Sequence, residues 1–147
     1  MDANVFLLAT QVPDLKYTTG TYLLGRYNIA THTGYALGFV SAGHHLYLSI
    51  LKVVNSVYTE LARSALWQES YYSQATKYQM VAIINGASPN INLEIRVFDA
   101  AGDQVGDALI YADDDAIDAS GTIALERALN AGQPEVLFDD LAVYEAV

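Results

Sequence analysis

Acidic residues are the side chains of this sequence with the clearest potential for chemistry. Asp113, Asp114, Asp115 and Asp118 fall within one short run. Calcium takes roughly six to eight oxygen ligands, which carboxylates and carbonyls supply. The run lacks the spacing of an EF-hand loop. It therefore predicts either a calcium loop that includes Asp113 and Asp114, or a solvated turn in which aspartates accept hydrogen bonds from nearby backbone amides.

A second acidic pair, Asp139-Asp140, interrupts the apolar run from 136 to 144. Strand interiors are depleted in Asp, so the pair calls for a reason. Strict strand alternation places one aspartate on the core side with Phe138 and the other on the outer side with Leu137. A core-facing carboxylate must be hydrogen-bonded or metal-bound, because leaving it bare costs several kcal/mol. A structural tie and a bound ion are the two alternatives.

Aromatic residues could form a platform for sugars, because rings stack on the apolar faces of sugars and tyrosine hydroxyls bond their polar groups. The chain has 11 Tyr and one Trp. Trp67, Tyr71 and Tyr72 cluster in a polar stretch, and we predict them as ligand-binding candidates. The alternative is that they lie in a core or in a protein interface, where Tyr and Trp are also enriched.

A catalytic centre is not expected. The chain has no cysteine and three histidines, and His32, His44 and His45 show neither metal-binding nor triad spacing. A glycosidase needs two carboxylates that flank the scissile bond, and on one strand face they would be spaced by an even number of residues. Glu94 alternates with Arg96, which is better explained as its ion-pair neighbour. We therefore predict a non-enzymatic protein.

Charge narrows the classes of partner. The 147-residue chain carries a formal charge of −10, and 52% of its residues are hydrophobic. Nucleic-acid binding depends on Lys and Arg that neutralise phosphates, so no nucleic-acid partner is expected. No apolar run reaches the roughly 18–20 residues that a membrane span requires, and the N-terminus lacks the basic region of a signal peptide. We expect a protein made in the cytoplasm, with no membrane partner.

Strand signals dominate the chain. Apolar residues alternate with other residues around 46–50, 93–97 and 136–142, and turn signals separate such runs. Two segments, 56–69 and 124–130, also carry helical spacing, but the hairpin rhythm around them favours strand. The sequence predicts one all-β domain over 1–147, an antiparallel β-sandwich with strands near 4–12, 21–29, 34–41, 44–54, 57–63, 76–85, 91–99, 105–112, 121–128 and 135–145.

The order of motifs along the chain carries a family resemblance. The motifs are Gly34-Tyr35-Ala36-Leu37, His45-Leu46-Tyr47-Leu48, Lys77-Tyr78-Gln79-Met80-Val81-Ala82, Asn85-Gly86, Ile91-Asn92-Leu93-Glu94-Ile95-Arg96-Val97 and Phe138-Asp139-Asp140-Leu141. This succession, over about residues 4–146, resembles the concanavalin A-like, laminin-G-like jelly-roll superfamily. The resemblance implies a jelly-roll whose last strand closes against the first.

The resemblance also implies ligand positions. Members of the superfamily hold a structural calcium where the terminal strand's aspartate meets the N-terminal segment, a position that Asp140 or Asp139 matches. Their ligand loops include the stretch before Gly34-Tyr35, which makes His32 and Tyr35 candidate ligand contacts. An ordinary place in a turn or hairpin is the alternative for both.

Two classes of function are consistent with these features. The first is a structural or assembly protein of a phage virion, a capsid decoration or tail-associated component that acts through protein–protein contacts and forms homo-oligomers. The second is a carbohydrate-binding or adhesion module that recognises a surface glycan. The first predicts a location in the virion, and the second is equally compatible with the extracellular surface.

Overall fold

The computed structural model describes residues 3–11, 19–42, 45–65, 77–87, 89–117, 122–128 and 138–146. Within these ranges the protein consists of strands and turns, and it contains no helix, so the all-β prediction is confirmed. No helix long and apolar enough to cross a membrane occurs in this part of the chain. The strands are β1 Ala3–Gln11, β2 Thr19–Asn28, β3 Thr33–Ala42, β4 His45–Val54, β5 Val57–Arg63, β6 Lys77–Ala87, β7 Asn90–Phe98, β8 Leu109–Asp113, β9 Thr122–Ala128 and β10 Phe138–Ala146.

The strands form two antiparallel sheets of five. Sheet A has the order β10-β1-β6-β7-β8, and sheet B has the order β5-β4-β3-β2-β9. Consecutive hairpins build β2 to β5 in one sheet and β6 to β8 in the other. The predicted closure of the last strand against the first is confirmed, because β10 pairs with β1 along its length.

One apolar core lies between the sheets. Sheet B contributes Leu23, Leu37, Phe39, Leu48 and Ile50, and sheet A contributes Met80, Ile84, Leu93, Ile95 and Val97, all of them essentially inaccessible to solvent. Most of these residues lie two apart along their strands, which is the spacing that places side chains on one face of a sheet. A second buried cluster, on the outer face of sheet B, consists of Tyr22, Leu24, Tyr27, Ala36, Leu51 and Val53.

The two segments with helical spacing are strands as far as the structure describes them. β5 covers 57–63 of the first segment, and β9 covers 124–128 of the second. Each pairs with a neighbouring strand over most of its length, so tertiary pairing overrides their helical propensity. β8 begins four residues later than predicted. Gly106 has a φ of 72° there, and this left-handed conformation is incompatible with a continuous strand.

Three strands gain an extra residue relative to a partner. In β2 the register shifts around Arg26, which has a φ of 48°. In β5 the extra residue is Leu61, between Glu60 and Ala62. In β10 the shift falls between Asp139 and Ala142. A bulge interrupts the alternation of faces, and in β10 the interruption falls in the four residues that begin with Asp139.

Gly38 sets the distance between two strands of sheet B. A Cβ at this position would overlap the carbonyl oxygen of Thr21 on the adjacent strand β2. The backbones of β2 and β3 can therefore approach each other only with glycine at this position.

We predict that Gly38→Ala destabilises the protein by about 3 kcal/mol, at the upper end of the usual cost of overpacking, because backbone atoms of β2 must move. The free energy of unfolding in urea measures the loss. Gly102→Ala is the control, since a Cβ there meets no atom within 4 Å and only its φ of 89° resists substitution, at about 1–2 kcal/mol. Equal losses for the two variants would contradict the close approach at Gly38.

Candidate functional site

One end of the sandwich contains a buried polar cluster that joins the two sheets. Asp113, at the end of β8, is 5% exposed. The Tyr35 hydroxyl on β3 donates to its Oδ2 at 2.7 Å, and Lys52 Nζ on β4 lies 3.1 Å from the same oxygen. The amide of Asp115 donates to its Oδ1 at 3.1 Å. We call Tyr35, Lys52 and Asp113 the cross-sheet cluster.

The cluster also holds the segment after β8. The Ile117 amide donates to the Tyr35 hydroxyl at 3.0 Å, and Lys52 Nζ donates to the backbone carbonyl of Asp115. The Ala116 amide donates to the carbonyl of Pro89 at 3.0 Å. Residues 113–117 are therefore fixed against both sheets.

The electrostatics of the cluster favour a charged Asp113 and a neutral Tyr35. Burial raises the pKa of the Asp113 carboxyl, but the hydrogen bonds from Tyr35, Lys52 and the Asp115 amide outweigh it, and the net pKa is lowered. Burial raises the pKa of Tyr35, and its hydrogen bond to Asp113 raises it further. A carboxylate with these partners acts as a structural tie.

Of the predicted ligand and metal residues, the structure brings Tyr35 and Asp113 together. Tyr35 is fully buried and bonded within the cross-sheet cluster, so it offers no surface to a ligand. Asp114 is exposed, next to the buried Asp113. Trp67, Tyr71 and Tyr72 lie outside the described residues, as do the side chains of Asp139 and Asp140.

The metal prediction gains no support from the described part of the chain. No group of three or more acidic or histidine side chains there could hold an ion. The Asp113 carboxylate already accepts from a hydroxyl, an ammonium and an amide. A calcium site, whether at Asp113 and Asp114 or at Asp139 and Asp140, stays a prediction.

His32 belongs to a pair of hydrogen-bonded turns at the same end. Its carbonyl accepts from the Ser56 amide at 2.9 Å, and its ring nitrogen Nδ1 lies 3.1 Å from the hydroxyl of Tyr27. The Asn55 amide donates to Thr33 Oγ1 at 3.1 Å. These bonds join the β2–β3 turn to the β4–β5 turn.

The joined turns present apolar side chains to solvent. Ile29 is 62% exposed, Val54 is 42% exposed and Val57 is 65% exposed; we call these three residues the apolar tip. Val54 and Val57 are cross-strand partners around Asn55 and Ser56, whose φ angles are 49° and 65°. Positive φ at both central residues is the geometry of a type I′ hairpin turn, so the tip has a defined backbone shape.

A row of polar and aromatic side chains follows the edge strand β5 on the outer face of sheet B. Arg63 forms a two-pronged ion pair with Glu60, at 2.9 Å between Nη2 and Oε2 and 3.0 Å between Nε and Oε1. The Arg63 guanidinium lies 5.0 Å from the ring centre of Tyr47. Tyr58, 44% exposed, lies further along the strand. We call Tyr47, Tyr58, Glu60 and Arg63 the tyrosine–arginine row.

Sequence reasoning missed both surfaces. Glu60 and Arg63 are three residues apart, which on a regular strand places side chains on opposite faces. The bulge at Leu61 brings them to one face. The Glu94–Arg96 pair, in contrast, was predicted from its even spacing and is confirmed at 2.5 Å.

We predict that Asp113→Asn destabilises the protein by about 2–4 kcal/mol at neutral pH, because Lys52 loses its buried counter-charge. The folded pKa of Asp113 lies below its unfolded value, so its stabilisation is present above about pH 4 and is lost as pH falls through the folded value. Urea unfolding at a series of pH values from neutral to strongly acidic should show the difference between wild type and variant shrinking in acid.

Glu94→Gln is the control for this series, since its ion pair with Arg96 is on the surface and contributes at most about 1 kcal/mol. A difference between Asp113→Asn and wild type that is constant over the whole pH range would contradict a lowered Asp113 pKa.

Comparison with known proteins shows that the fold of this chain is similar to that of a solved structure. No family model and no curated protein matches this chain. Among solved structures, it is similar to the CBM2 module of the evolved Dit of Lactobacillus casei BL23 phage J-1, with a TM-score of 0.64 and 14% sequence identity. The match covers 96% of this chain and 60% of the phage module, so this chain spans 60% of the length of that neighbour.

A second solved structure, the tail fibre protein gp63.1 of an E. coli phage, matches with a TM-score of 0.40 and 11% identity. That match covers 91% of this chain and 15% of the fibre chain. At 14% identity, the likeness to the Dit module shows that the two chains share a β-sandwich architecture.

Proposed function

We propose that this protein is a non-catalytic, tail-associated component of a phage virion that acts through protein–protein contacts. The apolar tip is the observation that carries the proposal. The likeness of fold to a module of a phage Dit supports it. A role in capsid decoration is a second form of this proposal and has less support. For the fold, we propose a concanavalin A-like jelly-roll.

The tip has the properties of a protein-binding surface. Three of the five large hydrophobic residues that are exposed in the described part of the chain, Ile29, Val54 and Val57, belong to the two joined turns. Adjacent exposed apolar side chains mark interaction sites more often than scattered ones do. The hydrogen bonds between the turns hold them in place before binding, which lowers the entropy cost of association.

Charge around the tip defines the partner further. Asp114 and Asp115 are exposed, and Asp115 Oδ2 lies 3.7 Å from Nζ of Lys52. Lys52 is two residues from Val54, about 7 Å along the strand. An apolar centre with an acidic margin is complementary to a basic surface with an apolar centre. We therefore propose another virion protein of that character as the partner at the tip, in a mixed assembly.

The absence of catalysis is part of the proposal. Glu94 is paired with Arg96, and Glu60 with Arg63. Asp113 is buried and bonded on both oxygens. Each of these carboxylates has a cationic partner. For Asp113 the lowered pKa disfavours the protonated form that a general acid needs.

Carbohydrate binding is the second candidate function. The neighbouring Dit module is named as a CBM, a carbohydrate-binding module. The tyrosine–arginine row provides aromatic and hydrogen-bonding groups on one exposed face, which is the chemistry that sugars require. This candidate uses a different surface from the tip, and the two roles are compatible.

The tip proposal is tested by size-exclusion chromatography with light scattering. The chain is expressed alone and together with the proteins encoded by the neighbouring genes. We expect a complex of fixed stoichiometry, weakened at least about tenfold by Val57→Asp, since a buried unpaired charge opposes association. Ile110→Asp is the matched control, because Ile110 is 63% exposed and Val57 is 65% exposed.

A strict monomer in both settings would contradict the assembly role. An equal effect of Val57→Asp and Ile110→Asp would show that the tip is not the contact surface.

A further inference from the structure

The tyrosine–arginine row is a preorganised polar surface. Arg63 and Glu60 are bonded at two points, and the Arg63 side chain is 40% exposed while that of Glu60 is 35% exposed. Tyr47 lies under the guanidinium, with 5.0 Å between the guanidinium carbon and the ring centre. The geometry fixes the plane of the guanidinium and that of the carboxylate relative to the sheet.

A buried hydroxyl holds this pair in position. Ser49 on β4 is fully buried, and its Oγ donates to Glu60 Oε2 at 2.9 Å. Ser49 and Arg63 are direct cross-strand partners. The buried Ser49 hydroxyl needs an acceptor, and in supplying it the Glu60 carboxylate is held in one orientation at the surface.

We propose that the tyrosine–arginine row binds a neutral saccharide through two adjacent hydroxyl groups. Glu60 accepts from one hydroxyl, while the guanidinium N–H groups of Arg63 that do not contact Glu60 donate to the next. The ring of Tyr58 contacts an apolar face of the sugar, while the ring of Tyr47 supports the Arg63 guanidinium. This inference rests on the carbohydrate-binding candidate and is independent of the apolar tip.

The dimensions and charge of the surface define the ligand class. Tyr58 and Arg63 are five residues apart with one bulged residue between them, so the row extends for about 13 Å along the strand. That length accommodates more than one sugar unit. The formal charge of −10 opposes binding of sulfated or uronic-acid polymers, so the ligand is a neutral oligosaccharide.

A second ion pair of the chain provides an internal comparison. Glu94 and Arg96 lie on β7 with 2.5 Å between Oε1 and Nε. The cross-strand neighbour of Glu94 on β8 is the aliphatic Ile110. The Glu94–Arg96 pair therefore carries the same charges as the Glu60–Arg63 pair, but its cross-strand neighbour is aliphatic. This makes it a matched control for the tyrosine–arginine row.

The experiment is a glycan array followed by calorimetric titration. The array carries neutral glycans of hexoses, deoxyhexoses and N-acetylhexosamines, and also sulfated and uronic-acid glycans. The tightest neutral glycan is then titrated into wild type, Glu60→Gln, Arg63→Lys and Tyr58→Ala. We expect binding to weaken at least about tenfold in the first two variants and at least about threefold in the third.

Glu94→Gln and Arg96→Lys should bind within about twofold of wild type, because both residues lie on the other sheet. Thermal melting of every variant shows that the fold is intact. Arg63→Lys keeps the charge and removes the two-pronged geometry, so a loss in this variant reports on orientation and not on net charge.

Two outcomes would overturn the inference. If wild type binds no neutral glycan, the ligand class is wrong. If wild type binds a neutral glycan and Trp67→Ala abolishes binding while the row variants do not, the carbohydrate-binding function stands and its site lies elsewhere. Neither outcome changes the result of the assembly experiment on the tip.

Discussion

A buried carboxylate between two sheets is the constraint on which the described structure depends. Asp113 on sheet A must stay charged and paired, because an isolated buried charge is costly. Tyr35 and Lys52, which satisfy it, both come from sheet B. Elsewhere between the sheets, Arg26 Nη2 donates to the carbonyl of Gly86 at 2.5 Å and forms a second link. Apolar packing sets the distance between the two sheets but is not directional. These hydrogen bonds and ion pairs are directional, so they also fix how far one sheet is shifted along the other.

This fixed end carries the apolar tip. Lys52 belongs to the cluster and lies two residues from Val54 of the tip on the same strand, so the position of one determines the position of the other. The bonds from Ser56 to His32 and from Asn55 to Thr33 then align the two turns. The tyrosine–arginine row depends instead on a local feature of β5. The bulge at Leu61 places Glu60 and Arg63 on the same face of the sheet.

The strands were predictable because alternation and turn residues are local signals. All ten predicted strands are present in the described ranges, and most boundaries agree within two residues. The sites were less predictable, because bulges and long-range pairs leave no local signal. Nothing near Asp113 indicates that Lys52 and Tyr35 are its partners. The sequence suggested either a calcium ligand at Asp113 or a turn in which it accepts from nearby backbone amides; the structure gives that carboxylate the Asp115 amide, an ammonium and a hydroxyl.

A double-mutant cycle on Lys52→Met and Asp113→Asn tests the central claim most directly. The free energies of unfolding in urea at neutral pH give the coupling between the two residues. If the pair joins the sheets, the coupling is favourable by about 1–3 kcal/mol, and the double variant loses less stability than the sum of the single variants. Additivity within about 0.3 kcal/mol would contradict the account.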